Sequence, residues 1–160
     1  MRRKDREVTD FNKMMEFVAK CEIIHLGLAD GDYPYVVPLN FGYEVKDQQL
    51  YLYVHGAMSG RKYELMKKNQ KCSFEMSIPL KLDFIEDTKD VTMRYQSVIG
   101  KANSELLENE EKLIACDQFM MGSREATKDF DYNRKSLDHT MVAKLTVIEW
   151  SAKENPIVTG

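Results

Sequence analysis

LYVHGAMSGRKYEL, Leu52 to Leu65, changes character twice in one short span. Leu50 to Val54 is an aliphatic and aromatic run, so Gln49 to His55 reads as a strand. Small residues follow, Gly56, Ala57, Ser59 and Gly60. Arg61 and Lys62 then open a helix from about Gly60 to Lys68, with Asn69 as its C-cap. The first turn of a helix carries free N–H groups and a partial positive charge. Two cations there are poorly placed unless an anion lies between them. Helix-start N–H groups, small residues that allow close approach and two positive side chains make a phosphate site. A solvated basic turn is the plainer alternative. The GxxxxGK[ST] pattern of a Walker loop is absent.

Outward from this stretch, the chain alternates strands with short helices. Val8, Phe11, Met14, Met15 and Val18 fall at helical spacing and predict a helix over Asp5 to Lys20. CEIIHLGL (Cys21 to Leu28) reads as a buried strand, ADGDYP (Ala29 to Pro34) as a turn, and YVVPLNFGY (Tyr35 to Tyr43) as a second strand. Pro38 lies inside that strand, which demands a bulge, an edge or a backbone position without a ladder donor. Glu44 to Gln49 is a hairpin loop. Lys71 to Ile78 is a fourth strand, Pro79 to Asp90 a mobile polar excursion, and Val91 to Lys101 a fifth strand. Leu106, Leu107, Leu113, Ile114 and Phe119 predict a helix over Ser104 to Met121. Gly122 to Asp138 is an irregular connection, and Met141 to Ala152 is a sixth strand. Short strands joined mostly by hairpins, with helices interposed, argue for an antiparallel barrel of the α+β class.

Composition supports one domain over residues 1–160. With 43% hydrophobic and 31% charged residues, the chain is ordinary for a globular protein. A net charge of −3 points away from nucleic acid and membrane surfaces. No apolar run approaches the ~20 residues of a membrane span. The basic start MRRKDREVTD has no apolar region behind it, so a cytoplasmic location is expected. Cys21, Cys72 and Cys116 show no metal-ligand spacing and read as buried reduced thiols.

Two further places could carry chemistry. A proline within PLNF (Pro38, Leu39, Asn40, Phe41) leaves neighbouring backbone groups free to meet a flat polar ligand, and Asn40 can both donate and accept. An edge strand with a bulge explains it equally well. His55 ends its strand beside the basic loop, either as a structural residue or as a group near a reacting centre. His25 reads as a satisfied core histidine, and His139 has no visible partner. Glu110 and Glu111 read as a solvated helix face. No nucleophile–base–carboxylate set and no metal site is visible.

PYVVPLNFGYE, LYVHGAMSGRKYELMKKN and YQSVIGKA, in that order, resemble the FMN-binding split-barrel superfamily. This is the pyridoxamine 5'-phosphate oxidase-like group, and the likeness is strongest to its nitroimidazole-resistance (Nim) branch. The resemblance implies a six-stranded antiparallel split barrel of Greek-key type with peripheral helices. It implies a homodimer with FMN at the subunit interface. By match of motif, Arg61 and Lys62 grip the FMN phosphate with the Ser59–Gly60 backbone, and Pro38, Leu39, Asn40 and Phe41 line the ring. His55, Gly56 and Ala57 run along the ribityl chain, while Tyr95 and Ser97 lie on a strand that reaches the cofactor. Trp150 covers a ring in the partner subunit or packs in the core. The chain's closing ENPIVTG lacks the Arg- and His-bearing segment of true pyridoxamine phosphate oxidases.

The expected function is therefore an FMN-dependent oxidoreductase that reduces a small planar substrate of the nitroaromatic type. NAD(P)H would be the reductant and His55 a proton donor. A non-catalytic flavin-binding or redox-sensing protein, a pyridoxamine phosphate oxidase-type enzyme and a haem-binding relative are the competing readings.

Overall fold

Phe11, Met14, Phe17 and Val18 recur three and four residues apart, which puts them on one helix face. Asp10 starts that helix, its carboxylate accepting from the Lys13 N–H at 2.8 Å. The computed structural model describes residues 3–117 and 134–156. In it α1 spans Phe11–Lys20 and buries Met14, Phe17 and Val18. A helix start at Asp5 is too early. Lys4–Arg6 form a 3-10 turn, and β1 (Glu7–Val8) pairs with Lys153 and Ala152.

The remaining elements are β2 (Ile23–Leu28), β3 (Tyr35–Lys46), β4 (Gln49–Ala57), α2 (Arg61–Lys68), β5 (Lys71–Ile85), β6 (Asp90–Leu107), α3 (Asn109–Ala115), a 3-10 helix (Arg134–His139) and β7 (Thr140–Asn155). The sheet has seven strands, not six, in the order β1-β7-β4-β3-β2-β5-β6, and β6 also pairs with β7. The extra strand is the short β1. Each ladder is antiparallel.

Two expectations fail in the second half. Pro79 to Asp90 is no loose excursion, because β5 and β6 stay paired from Lys81↔Arg94 to Ile85↔Asp90 after a register shift at Pro79/Lys81. The helix expected from Ser104 begins late. Ser104 to Leu107 extend β6 against Leu145 to Val142 of β7, and only Asn109–Ala115 are α-helical. Residues 118–121 of that expected helix and 122–133 of the expected connection lie outside the described residues.

Inward-facing positions fill the core. Leu26 stands opposite Val37 on one side and Phe74 on the other, and Phe74 opposite Gly100. A Cβ on Gly100 would fall 2.5 Å from the Phe74 ring and 2.7 Å from the Glu149 carbonyl. Only a bare backbone lets that ring lie across β6. Phe17 and Val18 close the core from α1, and burying a side chain of Phe17's size contributes roughly 1.5–3 kcal/mol. Trp150 is half-buried against this core, its ring edge-on to Phe11 at 5.8 Å. The three cysteines are free thiols. No helix among the described residues is long and apolar enough to cross a membrane.

Candidate functional site

Strand β3 changes partner half-way along. Tyr35 to Asn40 pair with β2, whereas Phe41 to Lys46 pair with β4. The β3–β4 register would continue as Asn40 with His55, Leu39 with Gly56 and Pro38 with Ala57, but the ladder stops at Phe41↔Val54. Beyond that point β4 keeps only its other neighbour, pairing His55, Gly56 and Ala57 with Val142, Met141 and Thr140 of β7. The sheet is therefore split between the two segments singled out in the sequence. Pro38 sits in this half-paired part of β3, in register with His25, so it costs no β3–β4 hydrogen bond.

Side chains at the split divide by strand alternation. Pro38 and Asn40 point outward and are exposed, and Asn40 donates to the Glu22 carbonyl at 3.2 Å. Leu39 and Phe41 turn inward onto the core, so only their backbones face the split. His55 is exposed at the end of β4. Partial desolvation of the ring by its surroundings, and then the charge of Lys62, lower its pKa.

The basic pair parts company. Gly60 caps α2 with φ at +90°, a conformation that suits glycine and turns the chain sharply into the helix. Arg61 then reaches back to the Asp30 carboxylate, with Nε donating to Oδ2 at 2.7 Å and Nη2 to Oδ1. Asp30 is the anion that the sequence reading missed. The signal was the acidic turn ADGDYP, whose partner lies 31 residues away. Lys62 instead folds over Gly56, where an added Cβ would fall 2.8 Å from Lys62 Cε. Its ammonium donates to the His55 carbonyl at 3.4 Å, and burial lowers its pKa. A desolvated cation with one long neutral contact is electrostatically under-served, and an anion would satisfy it.

Other expected site residues are not brought here. Tyr95 and Ser97 lie on β6, opposite Pro79 and Ser77 of β5. With β2 and β5 between β3 and β6, they lie three strands round the sheet from β3. Nor is His25 a core residue. It is exposed on the outer sheet face, its Nδ1 2.9 Å from Glu75 Oε2. A cavity of about 400 Å³ lies behind the β4–α2 loop, lined by Met58, Tyr63, Leu107, Leu113 and Met141 among others. None of Pro38, Asn40, His55 or Arg61 lines it. The split itself is open. No group of three or more metal-ligating side chains occurs among the described residues.

The family model for pyridoxamine 5'-phosphate oxidase matches residues 10–154. The chain belongs to that family. Among solved structures, it is similar to a candidate 5-nitroimidazole antibiotic resistance protein from Bacteroides thetaiotaomicron, at 29% identity and a TM-score of 0.77, covering 92% of this chain and 85% of that one. It shares its fold with a flavocytochrome from Azotobacter vinelandii, at 20% identity, a TM-score of 0.75 and coverage of 98% and 72%. It also shares it with an FAD- and heme-binding protein from Mycobacterium smegmatis, at 16% identity, a TM-score of 0.79 and coverage of 97% and 76%. No curated protein matches the sequence.

Proposed function

We propose that this chain is an FMN-dependent oxidoreductase that passes electrons from a nicotinamide to a small planar acceptor of the nitroaromatic type. The observation that carries this is the break in the β3–β4 ladder beside the desolvated Lys62. Unpaired backbone edges suit the polar rim of a flavin ring, and Lys62 with the α2 N-terminus suits its phosphate. Arg61 would join the clamp by leaving Asp30, a carboxylate that already occupies the guanidinium as a phosphate oxygen pair would. A bound flavin supplies hydride and electron transfer; the protein binds, orients and excludes water. The likeness to the nitroimidazole-resistance protein supports the choice of acceptor.

In this reading the six strands β7, β4, β3, β2, β5 and β6, ringed by the β6–β7 pairing, are the split barrel, and two copies form a cytoplasmic homodimer with FMN between them. The distance of Tyr95 and Ser97 from β3 supports the dimer, because a second copy could present those residues to the split. So does the β5–β6 arm, where Leu82 and Phe84 face Met93 and Val91 across the ladder. All four are exposed, Phe84 at 64%. His55, whose charged form is disfavoured by its surroundings and by Lys62, fits a hydrogen-bonding place beside the ribityl chain better than that of a proton donor.

Titration with FMN, read by quenching of flavin fluorescence, tests the proposal. Native protein should bind, turn yellow, and be bleached by NAD(P)H and recoloured by a nitroaromatic. Arg61→Ala with Lys62→Ala should weaken FMN binding at least 100-fold, as loss of two charge-assisted contacts implies. Affinity left intact in the double variant would remove the clamp, and a native protein indifferent to FMN would end the proposal. A protein that binds FMN but passes no electrons would be a flavin sensor.

A further inference from the structure

An ion pair stands on the outer sheet face beside the split. Across the sheet, Pro38 of β3, His25 of β2, Glu75 of β5 and Ile99 of β6 stand in one row. Above and below it Ile23, at 47%, and Val36, at 60%, are exposed beside Asn40, Ser73, Ser77 and Lys101; Ile99 in the row is 49% exposed. Within this surface the His25 and Glu75 side chains keep 46% and 39% of their exposure. Nδ1 of His25 meets Glu75 Oε2 at 2.9 Å, which fixes the tautomer and the plane of the ring. Nε2 has no hydrogen bond among the described residues and points away from its anchor. A directly opposed cross-strand pair has its Cβ atoms about 5 Å apart, so the imidazole stands beside Pro38, at the rim of the proposed flavin site.

We infer that His25, braced by Glu75, hands a proton to the acceptor as it is reduced. This rests on the flavin reading above and deepens it. For a nitro acceptor, uptake of an electron pair and two protons breaks one N–O bond, leaving a nitroso group and water. The electron pair comes from flavin reduced by the nicotinamide. One proton comes from Nε2 of His25, the other from solvent, and solvent restores it to the ring. Glu75 is a positioning residue: it accepts from Nδ1–H and holds the ring with Nε2 outward. Pro38 and Ile99, the other members of the row, do not titrate. The nearby thiol of Cys21, pushed up to about 11 by burial and then by the Glu75 charge, stays neutral.

The experiment compares native protein with His25→Gln and Glu75→Gln, each loaded with FMN, using NADH and 4-nitrobenzoate. Expected are FMN affinities within about twofold of native and, for His25→Gln, a kcat about 100-fold lower with KM little changed, as loss of a general acid implies. Glu75→Gln should lose about tenfold in kcat and the nitrogen NMR signature of a fixed Nδ1–H tautomer. In native protein the His25 ring resonances should move on adding FMN to the flavin-free chain, and again on adding 4-nitrobenzoate to the oxidised complex. Native turnover in His25→Gln, or His25 resonances unmoved by both additions, would overturn the inference while leaving the flavin reading intact. A native protein that fails to bind FMN would overturn both.

Discussion

At the scale of single residues, His55 and Gly56 each carry a consequence that can be measured. Burial and Lys62 depress the His55 pKa, so the folded protein favours the neutral ring. On acidification the unfolded chain takes up this proton first, near the ordinary 6.5. The stability His55 confers is therefore full above that pH and is lost as pH falls through the depressed folded value. His55→Gln should shrink the drop in Tm between pH 7 and pH 5, as followed by circular dichroism; an unchanged drop would contradict the assignment. Gly56→Ala should leave folding largely intact, since the added methyl clashes only with the far end of the flexible Lys62 and makes an ordinary contact with Met141. It should displace that ammonium and weaken FMN binding about tenfold in fluorescence titration, as loss of one such contact implies. The sequence showed Lys62 and Gly60 at a helix start, but not that Arg61 is already paired. Asp30 lies across a turn whose folding nothing local announces.

Among the elements, the hairpin β3–β4 is closed by Asp47 and Gln48, both in the left-handed region, with φ of 53° and 63°. Such a two-residue turn matches the sheet twist but strains residues that carry a Cβ. Gln48→Gly should stabilise the protein by about 1 kcal/mol, measured by urea denaturation. Strands β2, β3 and β4 and helix α2 were legible because each carries its own period and turn residues. The end of β6 was not. Leu106 and Leu107 read as a helix face, and only pairing with Ala143 and Val142, more than thirty residues on, makes them strand. The β5–β6 arm carried a signal that was passed over: Leu80, Leu82 and Phe84, then Val91 and Met93, alternate at period 2. Charges at Lys81, Asp83 and Glu86 disguised it as loop.

For the whole molecule, that arm has two unlike sides. On one, Arg94 is buried and bonds Asp83 at 2.9 Å and Asn155 at 3.3 Å. Asn155 in turn donates to the Met93 carbonyl at 2.6 Å. The other side is the exposed apolar strip. If a second copy covers the strip, Phe84→Asp should convert a dimer to monomers in analytical ultracentrifugation while the chain stays folded, because the locked side is untouched. A variant that sediments as native would show that the strip is not the contact. Fold class was thus readable from the chain. The exposed apolar strip was not, because exposure belongs to the assembled sheet rather than to any stretch of it.

Strand β3 belongs to two ladders in turn, which meet at Asn40 and Phe41. A guest wedged into the gap would lean on both at once. Amide exchange should then slow not only at the open rim, residues 35–40, but also along the far rungs shared with β4, so that one small molecule tightens the protein well beyond its own footprint.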